Sequence, residues 1–449
     1  MDLMMRWKTS RYVHVLDVPE ATDRKVAFNS LTLQAFDIEP AEARLLERFK
    51  QPDGLPEAPG DEARDLVASR LIVAADDDAP GQAAARLNAV RQAEFRRGAG
   101  RYRTLRLSLT ERCNMACGYC FQQKLYPDQQ PRMSMELLES TVEWFVDQAE
   151  GQEVSVQYFG GEPLMEWNLI VRSHELLAEA ETAGKISGFH QSITTNGTLM
   201  KPSRAKWLVE RDFGVTFSFD GPPEINDQQR TFKNGRGTYE KAAEGLRNWV
   251  AAGGESGILM TASSFNVGKL KEIVRWFVEE SGLEPQIIGL NSPQPISTGW
   301  ETGGEELART VFDIWQYVEA RGITFHGPGA YMPGNLQLEK PHSDNCVSGR
   351  PSQSGGDAWP VYVSADGRRS LCLVHHRDAR VEVTPEQPMK QAGLNWHKSH
   401  ATIKDCDSCI ASQLCGGPCT LERILWNDRL NPDRCGFMQE MARLVLVHD

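Results

Sequence analysis

The pattern of apolar and polar positions divides the chain into three stretches of different character. Between residues 11 and 37, apolar residues alternate with polar ones (YVHVLDV, then KVAFNSLTLQAFDI), the period of short strands. Glu39 to Phe49 (EPAEARLLERF) shifts to helical spacing with Pro40 in its first turn. DEARDLVASR is again helical and runs into an apolar strand, LIVAA, and an acidic turn at Asp76 to Asp78. From Arg103 strand and helix patterns alternate. The apolar runs RTLRLSLT, EVSVQYF, FHQSITT, VTFSFD, SGILMTAS and PQIIGLN are separated by amphipathic segments such as MELLESTVEWFVDQ and KLKEIVRWFVEE. Six strand and helix repeats predict an α/β fold, a parallel sheet curled toward a partial (β/α)6 TIM barrel. In such sheets, chemistry gathers at the carboxyl ends of the strands. Beyond about residue 322 the pattern fades into Gly, Pro, Ser and Asn (HGPGAYMPGNLQLEKPHSDN).

A chain of 449 residues, 40% apolar and 24% charged, is too long for one ordinary core. The shifts in pattern give three expected units, residues 1–98, 99–325 and 326–449. No run of apolar residues is long enough to span a bilayer, and MDLMMRWKTSRYVHV lacks the apolar core of a signal peptide, so a soluble cytoplasmic protein is expected. The net charge of -12 argues against nucleic acid and anionic membrane as partners, since both recruit Lys and Arg. Arg91, Arg96, Arg97, Arg101, Arg103 and Arg106 are a local exception. They read either as a solvated linker or as a patch for an acidic peptide.

The ten cysteines change this picture most. Cys113, Cys117 and Cys120 lie in CNMACGYC, directly after the first strand of the alternating stretch. Cys346, Cys372, Cys406, Cys409, Cys415, Cys419 and Cys435 lie in the loop-rich carboxyl-terminal unit. In a reducing compartment such spacing favours metal over disulfides, and a loop-rich unit with little apolar pattern would draw part of its stability from bound metal. Three thiolates on one loop suit three irons of a 4Fe-4S cube with the fourth iron open. Zinc or a redox pair is the alternative reading, although a structural zinc ordinarily takes four protein ligands.

C-x3-C-x2-C after a first barrel strand resembles the signature of the radical S-adenosylmethionine superfamily. The resemblance implies an open iron that chelates the methionine amine and carboxylate of S-adenosylmethionine, and a 5'-deoxyadenosyl radical that abstracts hydrogen from substrate. FGGEPL places Gly160, Gly161, Glu162 and Pro163 where the family binds the methionine amino group. Tyr119 falls where backbone atoms meet adenine. Thr195, Asn196, Ser218 and Asp220 end the third and fourth strands, positions that resemble contacts to the ribose and methionine parts. Arg230 resembles the arginine that pairs with the methionine carboxylate. Asn226 stands where related peptide-modifying enzymes often carry histidine.

Gly367, Cys372, Cys406, Cys409, Cys415, Cys419 and Cys435, with Cys346 upstream, resemble the seven-cysteine SPASM domain, with a longer first interval around PSQSGGDAWP. The resemblance implies two auxiliary 4Fe-4S clusters, one on Cys406, Cys409, Cys415 and Cys435, the other on Cys346, Cys372 and Cys419. Where some relatives supply an eighth cysteine this chain has Lys340, so the second set has an open iron or takes a hard ligand such as His342 or Asp344. His375 and His376 are candidates for a role near substrate or as supports behind it. The first hundred residues resemble the winged-helix-like RiPP recognition element, which binds the leader of a precursor peptide as an added strand.

The expectation is therefore an enzyme with three 4Fe-4S clusters and S-adenosylmethionine. It would modify a ribosomal precursor peptide, leader plus core, with electrons from a ferredoxin or flavodoxin. A thioether or carbon-carbon cross-link fits, because auxiliary clusters can accept the second electron of an oxidation. Epimerisation and decarboxylative maturation remain open. Anaerobic sulfatase maturation is a rival, but that family places an aspartate after the cysteine matching Cys372, where this chain has Leu373. Outside enzymes, an iron-sulfur electron-transfer or peptide-carrier protein is the alternative, in which the GGEP segment would have no purpose.

Overall fold

Fourteen strands organise the described residues of the computed structural model, which are 5–19, 21–97, 102–128, 130–291, 304–342, 358–384, 404–418, 422 and 429–448. They are β1 (Trp7–Thr9), β2 (Val13–Val18), β3 (Ala21–Asn29), β4 (Gln34–Ile38), β5 (Ile72–Ala74), β6 (Tyr102–Ser108), β7 (Val154–Phe159), β8 (Phe189–Thr195), β9 (Gly214–Ser218), β10 (Gly257–Thr261), β11 (Ile287–Asn291), β12 (Thr324–His326), β13 (Trp359–Val363) and β14 (Arg369–Ser370). Cys346, Cys419 and Asp344 lie outside the described residues.

The strands β6 to β11 coincide with the six apolar runs and pair in chain order, all parallel. β12 extends the sheet in parallel beyond β11 and spans the expected break at 325. The sheet does not end at β6. β13, from the loop-rich stretch, pairs with it in parallel, and β14 follows antiparallel, giving the order β12-β11-β10-β9-β8-β7-β6-β13-β14. β13 escapes periodicity because all five of its residues are buried, and a register shift beside Pro360 accommodates the missing backbone donor.

Register sorts the two faces of the parallel sheet. Leu105, Val156 and Gln191 stand side by side, as do Leu107, Tyr158, Ile193 and Val215, and these rows pack on helices such as Met135–Gln148. Ser134 caps that helix by accepting from Leu137 N at 3.1 Å, while Leu138, Val142 and Phe145 face inward. On the opposite face run Arg106, Gln157 and Ser192, then Phe159, Thr194 and Thr216, most of them half-buried. A parallel sheet between two apolar layers shows near-continuous hydrophobic runs. Here alternate positions are polar, which leaves one face for water or ligand.

The amino-terminal residues form the antiparallel sheet β2-β3-β4 and the pair β1-β5. A separate core of Ala27, Ile38, Leu46, Phe49, Leu66, Leu71 and Ile72 holds them to the helices Pro40–Arg48 and Arg64–Ala68. Phe28, on the other face of β3, joins the large core instead. The helix Pro432–His448 lies along the helix Gly304–Glu319 and reaches β2 and β3. The arginine-rich segment is no linker over most of its length. Arg91 lies in the helix Gln82–Arg97, and Arg103 and Arg106 lie in β6, donating to Glu153 O at 3.1 Å and Gln157 Oε1 at 3.2 Å. Among the described residues, no helix is long and apolar enough to cross a membrane.

Candidate active site

The carboxyl ends of β6, β7, β8 and β9 bring one set of loops together. The loop after β6 carries Cys113, Cys117 and Cys120 and is stitched to the segment after the helix Pro223–Gln229. Ala116 N donates to Thr231 O at 2.8 Å and Gly118 N to Gln229 O at 3.0 Å. Met115 N donates to Cys113 Sγ at 3.4 Å, and Asn196 Nδ2, at the end of β8, approaches the same sulfur at 3.8 Å. Burial, then Glu162 and the other two thiols, pushes Cys113 up to about 12. Burial pushes Cys117 up to about 11 although Arg230 pulls the other way. The bare thiolates are disfavoured, so a bound cation would supply the charge that makes them ligands. Among the described residues no three His, Cys, Asp or Glu side chains converge on one ion-sized point. A cube, which seats each thiolate on a different iron, asks for no such convergence.

The turn after β7 explains the sequence G-G-E-P. A Cβ on Gly161 would stand 2.0 Å from Arg112 O, and Gly160, at φ +127°, would bring one close to Ser108 Oγ and Thr110 O. Only glycine lets this turn lie against the cysteine loop, to which Gly161 N and Glu162 N donate at 2.8 and 2.9 Å. Pro163 then opens a short 3-10 helix that Glu162 caps, accepting from Leu164 N at 3.0 Å. The buried Glu162 carboxylate also accepts from Thr195 Oγ1 at 2.7 Å and Asn196 N at 2.8 Å. Burial raises its pKa and these donors oppose the rise. Glu162 and Thr195 therefore tie β7 to β8, while backbone on the two glycines approaches the cysteine loop.

After β9, Asp220 sits at the hub of a second buried cluster. Its Oδ2 accepts from Arg230 Nε at 2.7 Å and from the Tyr119 hydroxyl at 2.5 Å, and its Oδ1 accepts from Thr261 N at 2.9 Å. Arg230 also lies over the Tyr119 ring, 5.4 Å from its centre. Burial works against the guanidinium charge, but Asp220, Tyr119 and Cys117 together hold Arg230 above its ordinary value. Burial, and Asp220 after it, raise the Tyr119 phenol well above its usual range. Asn226 is a support: its Oδ1 accepts from Asp220 N at 3.3 Å and its Nδ2 faces Asp227 and Thr238. Ser218, half-buried at the end of β9, completes the set.

The described carboxyl-terminal cysteines fall into two places. Cys406, Cys409, Cys415 and Cys435 lie within electrostatic reach of one another. Burial first, then the neighbouring thiols, pushes Cys406 up to about 12 and Cys435 to about 11. Cys372 lies elsewhere, beside Tyr126, whose hydroxyl donates to Val374 O at 3.1 Å. Gly367, at φ +84°, makes the turn between β13 and β14 that leads to it. His375 N donates to Cys372 Sγ at 3.3 Å. His376 is buried between the rings of Tyr126 and Tyr362, 4.7 and 5.2 Å away, with Nε2 3.3 Å from Glu111 Oε1. Arg377 reaches Glu111 at 3.2 Å and Asp366 at 2.7 Å. Glu111, which sequence reading passed over, thus links the first cysteine loop to the Cys372 segment. His342 stacks on Tyr331 at 4.1 Å, and the Tyr331 hydroxyl donates to Cys415 O at 3.4 Å.

Residues 107–277 match the Radical SAM superfamily. The chain is 26% identical over 338 residues to the cysteine-type anaerobic sulfatase-maturating enzyme of Clostridium perfringens, covering 68% of this chain and 85% of that one. It is 27% identical over 258 residues to the radical SAM cyclopropyl synthase TigE of Paramaledivibacter caminithermalis, covering 53% of this chain and 51% of the synthase. Among solved structures, native anSMEcpe with bound AdoMet superposes with a TM-score of 0.59 at 20% identity, over 76% of this chain and 95% of that one. Streptococcus suis SuiB bound to precursor peptide SuiA superposes with a TM-score of 0.54 at 14% identity, over 95% of this chain and 98% of SuiB. At these identities the structural likeness is one of fold.

Proposed function

We propose that this chain is a radical S-adenosylmethionine enzyme that forms a thioether or carbon-carbon cross-link in a ribosomally made precursor peptide. The observation that carries the reading is the meeting, at the carboxyl ends of β6 to β9, of the three-cysteine loop, the glycine cradle and the buried Asp220–Arg230 pair, within the segment that matches the Radical SAM superfamily. Cys113, Cys117 and Cys120 hold one 4Fe-4S cluster, and Gly160, Gly161 and Asn196 line the place for S-adenosylmethionine. Ser218 and Arg230 bound the same place, and Tyr119 packs Arg230 into position. When bound, the cluster and S-adenosylmethionine supply a carbon-centred radical that removes a hydrogen atom from substrate. The polar face of the sheet orients the peptide and excludes stray donors.

Cys406, Cys409, Cys415 and Cys435 would hold a second cluster, and Cys372 with Cys346 and Cys419 would hold a third, which would take substrate or a hard ligand such as His342 or Asp344 in the place a fourth cysteine would fill. The amino-terminal sheet, with β2 and β4 as its edges, serves as the recognition element for the leader. A ferredoxin or flavodoxin supplies electrons in the cytoplasm. The SuiB structure, which includes a precursor peptide, supports a peptide substrate by analogy of fold.

Sulfatase maturation is the second reading, favoured by the relative from Clostridium perfringens. Leu373, whose side chain cannot act as a base, stands against it. The test is anaerobic reconstitution with dithionite and S-adenosylmethionine. We expect 5'-deoxyadenosine from the parent and none from Cys117→Ala, and no product from the parent would overturn the enzyme reading. Mass spectrometry of the peptide encoded beside this chain then separates the chemistries. Loss of two hydrogens supports a cross-link, unchanged mass favours epimerisation, and reaction only on a sulfatase peptide favours the second reading.

A further inference from the structure

The helix Pro432–His448 does more at the four-cysteine site than contribute Cys435. Arg434, buried, donates from Nη1 to Cys415 Sγ at 3.4 Å. Five residues on, Gln439 donates from Nε2 to Cys409 Sγ at 3.4 Å. Arg434 is itself fixed from behind: its Nε lies 3.2 Å from Glu422 Oε2, a second buried charge, and its Nη2 donates to Gly417 O at 2.5 Å. The Asn431 side chain accepts from Asp433 N at 3.0 Å and Arg434 N at 3.4 Å, which fixes the start of the helix. Two of the four thiolates therefore receive side-chain N–H donors from the element that carries a third.

We infer that Arg434 and Gln439 are positioning residues that set the reduction potential of the cluster on Cys406, Cys409, Cys415 and Cys435. An N–H aimed at a ligand sulfur stabilises negative charge there. A reduced cluster carries one more electron than its oxidised form, so the donors favour reduction. Arg434 adds positive charge that Glu422 offsets in part, so the directed hydrogen bonds carry most of the effect. Cys113 accepts the Met115 backbone N–H at 3.4 Å and faces the Asn196 amide at 3.8 Å, and Cys372 accepts a backbone N–H from His375 at 3.3 Å. The two side-chain donors at 3.4 Å suit the four-cysteine cluster to hold an accepted electron. This assignment rests on the cluster reading above and gives that electron a destination.

The test separates the two. In the full chain carrying Cys113→Ala, Cys117→Ala and Cys120→Ala, the auxiliary clusters are titrated anaerobically by EPR, and Cys406→Ala identifies the signal of the four-cysteine site. Gln439→Leu removes one donor, and Arg434→Met with Glu422→Gln removes the other without stranding a charge. Each is expected to move that signal to more negative potential while the second auxiliary signal stays in place. At the parent's midpoint the ratio of oxidised to reduced cluster should rise about three- to tenfold, tenfold being about 59 mV for a one-electron couple. Pulsed EPR in D2O should show the loss of one exchangeable proton coupling, which a purely structural role would not produce. Full iron content with unshifted potentials in Gln439→Leu overturns the inference alone. Absence of iron dependent on Cys406 in the parent overturns the cluster assignment and the inference together. If the paired Arg434 and Glu422 variant loses iron, Gln439→Leu decides.

Discussion

Arg230 Nε donates to Asp220 Oδ2 at 2.7 Å, and both side chains are withdrawn from solvent. The pair therefore costs desolvation on both sides and is stable only while each partner is present.

Asp220→Ala should leave Arg230 as a buried, unmatched cation and also remove acceptors from Tyr119 and Thr261. The expected loss is about 3–5 kcal/mol, the usual cost of breaking a buried pair from one side. Chemical denaturation checks it, and an unchanged midpoint would show that Arg230 finds another partner.

Gly161→Ala places a methyl group 2.0 Å from Arg112 O. The turn after β7 must then move off the cysteine loop, at a cost of about 1–3 kcal/mol for overpacking. Binding of S-adenosylmethionine, followed by equilibrium dialysis, should weaken more than stability does. Equal affinity in variant and parent would remove this turn from the cradle.

His14, on β2, has no hydrogen-bond partner for Nε2 among the described residues. Burial, then the charges of Arg443 and Lys50, lowers its pKa from 6.5 to about 4. The unfolded chain takes up this proton near 6.5 and the folded chain refuses it until about 4. Its contribution to stability is therefore intact above 6.5 and is lost as pH falls through that window. His14→Leu should flatten the dependence, so the urea midpoint should drop less between pH 7 and pH 5 than in the parent.

Asp407, inside the Cys406 to Cys409 turn, accepts from Gly81 N at 2.9 Å and from the Tyr12 hydroxyl at 3.3 Å. Gln413 Nε2 donates to Ala83 O at 3.1 Å nearby. Asp407→Ala should cost about 1–3 kcal/mol for two hydrogen bonds and release the Gly81 amide. Hydrogen exchange should rise over residues 78–83, and a silent exchange map would mean that Gln413 and the neighbouring contacts hold this segment without Asp407.

Local periodicity made β6 to β11 legible, because each strand alternates apolar and polar positions and each following helix has its own apolar stripe. The turn of Gly160 to Pro163 was legible as chemistry, since close approach, cap and first helical position are demands on residue type. What stayed hidden were juxtapositions across long stretches of chain. Glu111 meets His376 and Arg377 more than 260 residues later, and nothing in either neighbourhood signals the other. β13 was missed for a different reason: five buried residues containing a proline have no alternation to detect. Asn226 stands where the peptide-modifying enzymes this sequence resembles often carry histidine, and its contacts give it the work of holding Asp220 in place.

The strand Trp359–Val363 closes a seam. By pairing with β6 it covers the backbone edge of the strand that launches the cysteine loop. A fragment ending near residue 325 would expose that row of N–H and C=O groups together with Leu105 and Leu107, a surface suited to self-association. The fragment should therefore be prone to aggregate even though its own apolar runs are complete. The strand Trp359–Val363 is thus a lateral shield for the strand that carries the three-cysteine loop.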